Sequence, residues 1–94
     1  VKLSVIKGKH DLRSLTLEER NVFVEEELRR LSREMTELRE DEQLSQNKVS
    51  SILGLHSHGN LTLIEQGKNI PRLDRMLKIL SVYGCTLDIV SLDD

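Results

Sequence analysis

Side chains able to do chemistry gather in the stretch from Ser45 to Arg72 of this 94-residue chain. Ser45, Gln46 and Lys48 open one apolar-periodic segment. His56, Ser57, His58, Asn60 and Thr62 introduce a second, and Lys68, Asn69 and Arg72 follow it. None of these sets is built to make or break bonds, because no nucleophile has a base beside it and there is neither a phosphate-binding glycine loop nor a paired-carboxylate motif. No enzymatic activity and no cofactor are therefore expected. His56-x-His58 places two imidazoles in a turn with no carboxylate or thiolate alongside, a poor donor set for a metal, and none is expected. Hydrogen bonding and positive charge remain, which is the chemistry that holds a phosphate backbone.

The elements that must position these residues can be read from spacing. Ser45 suits the cap of a short helix from Gln46 to about Leu53, with Val49, Ile52 and Leu53 inward and Ser50 small where two helices must approach. Gly54 then turns the chain sharply, a second periodic segment ends at Glu65, and Gly67-Lys68 begins a loop. Two short helices joined in this way have the spacing of a helix-turn-helix, which fits the major groove of DNA. Pro71 fixes a turn before an amphipathic helix whose stripe is Leu73, Met76, Leu77, Leu80 and Tyr83, and Gly84 supplies a left-handed stop.

Upstream, Thr16 with Glu19 resembles a capping box, so a long helix should follow. Its stripe of Leu17, Val24, Leu28, Leu31, Met35 and Leu38 is interrupted by Asn21 and is longer than a small domain can cover. Either its C-terminal half packs in the domain while the rest meets a partner or the lead-in, or the stripe is a dimer-forming or partner-binding coiled coil. Glu25 with Arg29, Glu26 with Arg30 and Arg33 with Glu37 stand one turn apart and would solvate the outer face. Residues 1–6 alternate enough for a short strand, and the basic stretch from Lys7 to Arg13 reads as a mobile lead-in or as an arm to a DNA backbone. From Cys85 to Leu92 the period changes to that of a strand, which must pair with residues 1–6 or, the favoured reading, with its copy in a second subunit. The expected division is a lead-in over 1–15, a DNA-binding domain over 16–84 and a dimerising strand over 85–94, with Leu87, Ile89 and Val90 in the dimer contact.

A formal charge of −2 hides a strong asymmetry. Glu18 to Glu42 carries ten acids against five arginines, a net of −5, whereas Ser45 to Gly84 carries five Lys and Arg against Glu65 and Asp74, a net of +3. The motif is thus mildly basic, and the long helix must point away from any phosphate it meets. Phe23 and Tyr83 are the only aromatic residues, too few for the stacking platforms of single-strand binders, so duplex DNA is the better target. No run is apolar enough to span a membrane, no signal-peptide pattern opens the sequence, and the lone Cys85 rules out an internal disulfide. The expectation is a soluble cytoplasmic protein, associated with the nucleoid of a bacterium or with a phage.

With these residues placed, the chain resembles the xenobiotic-response-element class of helix-turn-helix proteins, the lambda-repressor-like fold, over roughly Leu31 to Gly84. Leu31, Met35, Leu38 and Arg39 match its first helix, and Leu44-Ser45-Gln46, Ser50 and Leu53-Gly54 match its second helix and turn. Ile64-Glu65 with Gly67-Lys68 matches the end of the third helix, and Pro71, Leu77 and Leu80 match the fourth. The resemblance implies a mainly α bundle, a structural ion pair between Arg39 and Glu65, and DNA binding. A following strand narrows the likeness to HipB-type antitoxin repressors. Between Gly54 and Glu65 the chain has about one residue more than the family norm, so either the turn is longer or the third helix starts later.

Counting back from Glu65 puts Ser57 at a cap, with His58, Gly59 and Thr62 on the face toward base edges and Asn60 beside it. None is an Arg, Asn or Gln except Asn60, so recognition would lean on backbone contacts and DNA shape. Gln46, Lys48 and the first N–H groups of the second helix would hold one phosphate, Lys68 and Asn69 a second, and Arg72 a third. The expected function is a homodimeric, sequence-specific repressor on double-stranded operator DNA, serving also as the antitoxin of a cognate toxin. The alternative is a protein-interaction module whose DNA affinity is weak or lost.

Overall fold

A computed structural model describes residues 12–55 and 59–90. The expected strand over residues 1–6 and most of the basic lead-in lie outside the described residues, as do His56, Ser57 and His58. The described part is helical: α1 (Leu17–Asp41), α2 (Gln46–Leu53), α3 (Gly59–Glu65) and α4 (Leu73–Val82).

Local chemistry sets the helix ends. Thr16 Oγ1 accepts from the Glu19 N–H at 3.1 Å while the Thr16 N–H donates to Glu19 Oε1 at 3.0 Å, a reciprocal capping box that starts α1. These bonds also hold the Glu19 carboxyl below its ordinary pKa. Ser45 Oγ accepts from the Lys48 N–H at 3.0 Å and starts α2. At the end of α2 the Leu55 N–H reaches the Ser50 carbonyl at 2.9 Å and the Gly54 N–H reaches that of Ser51 at 3.2 Å. That pattern needs a left-handed residue, and Gly54 supplies it at φ +69° without the steric cost of a Cβ. The turn ending α1 uses Gln43 in the same conformation, at φ +57°.

Met35 of α1, Val49 of α2, Leu61 and Ile64 of α3, and Met76, Ile79, Leu80 and Tyr83 at α4 form one buried cluster. Leu38, Leu44, Leu53, Val82, Cys85 and Leu87 pack around it. The α4 stripe therefore differs from the sequence expectation. Met76, Ile79, Leu80 and Tyr83 face inward, while Leu73 is 65% exposed and Leu77 lies at the margin. On the helical wheel Ile79, Tyr83, Met76 and Leu80 span one arc centred near Met76, and Leu73 and Leu77 fall beyond its Leu80 edge.

α1 is longer than the body it joins. Its 25 residues rise about 37 Å, against principal extents of 43 × 22 × 21 Å for the molecule. Met35 is buried, Leu28 and Leu31 are half-buried, and Leu17 and Val24 are 75% and 47% exposed. Only the C-terminal half of the stripe is covered. On its outer face Arg30 bridges Glu27 at 2.9 Å and Glu34 at 2.8 Å, a pairing that holds both edges of one guanidinium in place of the predicted Glu26–Arg30 contact.

Residues 85–90 do not form a strand, and no strand occurs among the described residues. A strand exists only through ladder hydrogen bonds to a neighbour, and the described chain offers none. After the Gly84 and Cys85 N–H groups close α4 onto Ser81 and Leu80, the chain runs on with Leu87 against the core and Ile89 and Val90 in solvent.

Candidate nucleic-acid interface

The geometry of the motif rests on one polar network joining α1, α2 and α3. Arg39 Nε donates to Glu65 Oε2 at 2.7 Å, Nη2 donates to Glu65 Oε1 at 3.0 Å, and Nη1 donates to the Leu44 carbonyl at 2.8 Å. Gln46 Nε2 donates to Glu65 Oε1 at 3.0 Å, and Gln46 Oε1 accepts from Thr62 Oγ1 at 2.7 Å. The Arg39 and Glu65 side chains are 14% and 5% exposed, so the pair is shielded from water and salt. Glu65 holds the Arg39 guanidinium above its usual pKa. Tyr83 lies nearby, its pKa pushed up to about 12 by burial, with the Glu65 charge adding and Arg39 opposing.

This network changes what two of the proposed contacts can offer. The Gln46 amide is engaged at both its ends and Thr62 is half-buried against it, so both side chains fix the α2–α3 crossing from within. The start of α2 keeps the N–H groups of Gln46 and Asn47 outside the helix's own ladder, with Lys48 exposed beside them. Lys68, Asn69 and Arg72 are exposed on the loop that leaves α3. That loop starts with another left-handed glycine, Gly67 at φ +74°, and the Lys68 N–H returns to the Leu63 carbonyl at 2.9 Å.

On α3 Asn60 and Leu63 are exposed, and Gln66 follows in solvent just past the helix end, three residues after Leu63. Sequence reading missed Leu63 and Gln66. Helical spacing from Gly59 was the signal that could have found them, since Leu61 and Ile64 already account for the buried face. It also missed Arg75 and Lys78, which follow Arg72 at intervals of three on α4. With Asn60, Asn69 and Asp74 these cations line a cleft of about 530 Å³ whose floor includes Leu53, Ile64 and Pro71. Ser57 and His58, proposed for the cap and the base-facing surface, lie outside the described residues.

No group of three or more His, Cys, Asp or Glu able to hold a metal occurs among the described residues. Nor is any of the described helices long and apolar enough to cross a membrane. A helix-turn-helix family model matches residues 35–90, from the buried Met35 to the end of the described chain. The chain belongs to that helix-turn-helix family. Family membership makes this a DNA-binding regulatory domain, and the α2–α3 pair inside the matched segment has the spacing of its motif. No match was found among curated proteins or among solved structures. In this helix-turn-helix domain the matched segment leaves out the projecting half of α1, residues 17–34.

Proposed function

We propose that this helix-turn-helix protein is a sequence-specific transcriptional repressor that binds double-stranded operator DNA as a homodimer. The observation that carries this reading is the braced α2–α3 pair with an outward, solvent-exposed α3 face, flanked by Lys48 on one side and Lys68, Asn69 and Arg72 on the other. The free N–H groups at the start of α2, with Lys48, hold one phosphate. Lys68 and Asn69 hold a second, and Arg72 extends the contact. Asn60 and Gln66 carry amides suited to adenine, and Leu63 offers an apolar surface to a thymine methyl. Gly59 lets the backbone come close. The charge asymmetry of the sequence puts a net −5 on residues 18–42 and a net +3 on residues 45–84, which favours phosphate contact by the second.

The homodimer forms through residues 85–90. Leu87 packs on the core while Ile89 is 98% exposed and Val90 also lies in solvent, an arrangement that supports pairing of this segment with its copy across a two-fold axis. The same homodimer would serve a HipB-like antitoxin that represses its own operon and neutralises a cognate toxin. A second reading, an interaction module with little DNA affinity, is favoured by the uncovered Leu17 and Val24 on the projecting half of α1.

Binding to the chain's own upstream DNA, followed by fluorescence anisotropy against salt, tests the repressor reading. Affinity should fall steeply as salt rises, and Lys68→Ala should lower the magnitude of the log–log slope by about 0.9 per protomer, about 1.8 for the dimer. Equal affinity for that DNA and for random duplex at low salt would transfer the assignment to the interaction module.

A further inference from the structure

We propose that the cleft between α3 and α4 is a phosphate track in which Arg75 and Lys78 grip the DNA backbone beyond the reach of the motif itself. The inference rests on the repressor reading and extends its footprint. Arg72, Arg75 and Lys78 recur every three residues, so their Cα positions climb about 4.5 Å per step and span about 9 Å along one flank of α4. A row of this length is enough to meet two successive phosphates of one strand.

Two features make the row more than a solvated face. Neither Arg75 nor Lys78 has an ion-pair or side-chain hydrogen-bond partner among the described residues, and both are exposed on the cleft rim. Asp74 is the one acid lining the cleft. It reaches Arg72 only loosely, at 3.9 Å with the two side chains 90% and 67% exposed, too weak a contact to cancel the row. The apolar floor of Leu53, Ile64 and Pro71 is the second feature, since a low-dielectric wall beneath cations concentrates their field on what enters the cleft. Asn60 of α3 and Asn69 of the loop line the same cleft as the row, which joins it to the exposed α3 side.

Salt titrations of upstream-DNA binding between 50 and 200 mM KCl, on Arg75→Gln, Lys78→Gln and the double variant, test the track. Arg33→Gln on the exposed face of α1 serves as the control for a lost charge. In the homodimer each single variant removes one contact per protomer and should lower the magnitude of the slope by about 1.8, and the double variant by about 3.6, so that its affinity falls about 150-fold less across this range. The control should leave the slope unchanged, and urea unfolding should show all variants folded. Slopes equal to that of the control, in a chain that still binds its DNA, overturn the track and leave the repressor reading standing. Absence of any DNA binding by the wild type removes the repressor reading and the track with it. If inorganic phosphate at fixed ionic strength perturbs the Arg75 and Lys78 NMR signals while the slopes stay put, the cleft takes a free anion and not DNA.

Discussion

Substituting Glu65 by Gln separates charge from shape at the centre of the motif. The wild-type carboxylate accepts three hydrogen bonds, two from Arg39 and one from Gln46, in a site where it is 5% exposed. Glutamine has one carbonyl oxygen and an NH₂ that must face donors, so at least one guanidinium N–H loses its acceptor and the Arg39 charge loses its counterion. Breaking a fully buried pair from one side costs about 3–5 kcal/mol. Arg39 keeps some solvent contact and its bond to the Leu44 carbonyl, so a cost of about 2–3 kcal/mol is expected for Glu65→Gln. Urea unfolding followed by circular dichroism measures it, and the melting temperature should drop by about 10–20 °C for a domain of this size. Adding Arg39→Met to Glu65→Gln should recover part of the loss, because no uncompensated charge is then left inside. A loss below about 0.5 kcal/mol for Glu65→Gln, or simple additivity in the double variant, would falsify the claim that this pair holds α1 and α3 together.

Other perturbations follow from individual sites. Tyr83→Phe should be neutral or stabilising by up to about 1 kcal/mol at neutral pH, since the buried hydroxyl has no hydrogen-bond partner among the described residues. Because the folded tyrosine titrates at about 12 against an ordinary 10.0, wild-type stability is complete below pH 10 and declines between pH 10 and 12 as the unfolded form ionises first. Denaturation midpoints across that range should fall for the wild type relative to Tyr83→Phe, and parallel curves would contradict the burial argument. Gly54→Ala should cost about 1–2 kcal/mol through its left-handed backbone alone, as no atom lies within 4 Å of the added Cβ, and Gly54→Asn should cost less. Gln43→Gly should do the reverse and raise the urea midpoint, because Gln43 now holds the same conformation at φ +57°.

The ends of the helices were legible in the sequence because caps are local: Thr16 with Glu19, Ser45 and Gly54 act within a few residues of themselves. The Arg39–Glu65 pair was reachable only through family resemblance, since its members stand 26 positions apart. Gln46 shows the limit of local reading. Its place at a helix start suggested a phosphate donor, yet its partners Thr62 and Glu65 lie 16 and 19 residues away and claim both ends of the amide. Leu73 was assigned to the core because it is apolar and correctly spaced, but spacing fixes a face and not what covers it. The strand after Gly84 failed as an element for a related reason, because alternation records a preference whose fulfilment depends on a neighbour. On the α3–α4 cleft, Arg75 and Lys78 had entered only a charge sum, and their shared wall became visible once α4 was set beside the turn after α2.

The reach of α1 beyond the body also divides the thermal behaviour of a single helix. Amides near Met35 are anchored by the cluster and should exchange with solvent only when the whole domain opens, whereas those between Leu17 and Glu27 can unwind while everything below stays intact. One continuous rod should thus open in two stages, and a partner that grips its N-terminal half can order or release that half without disturbing the unit that meets DNA.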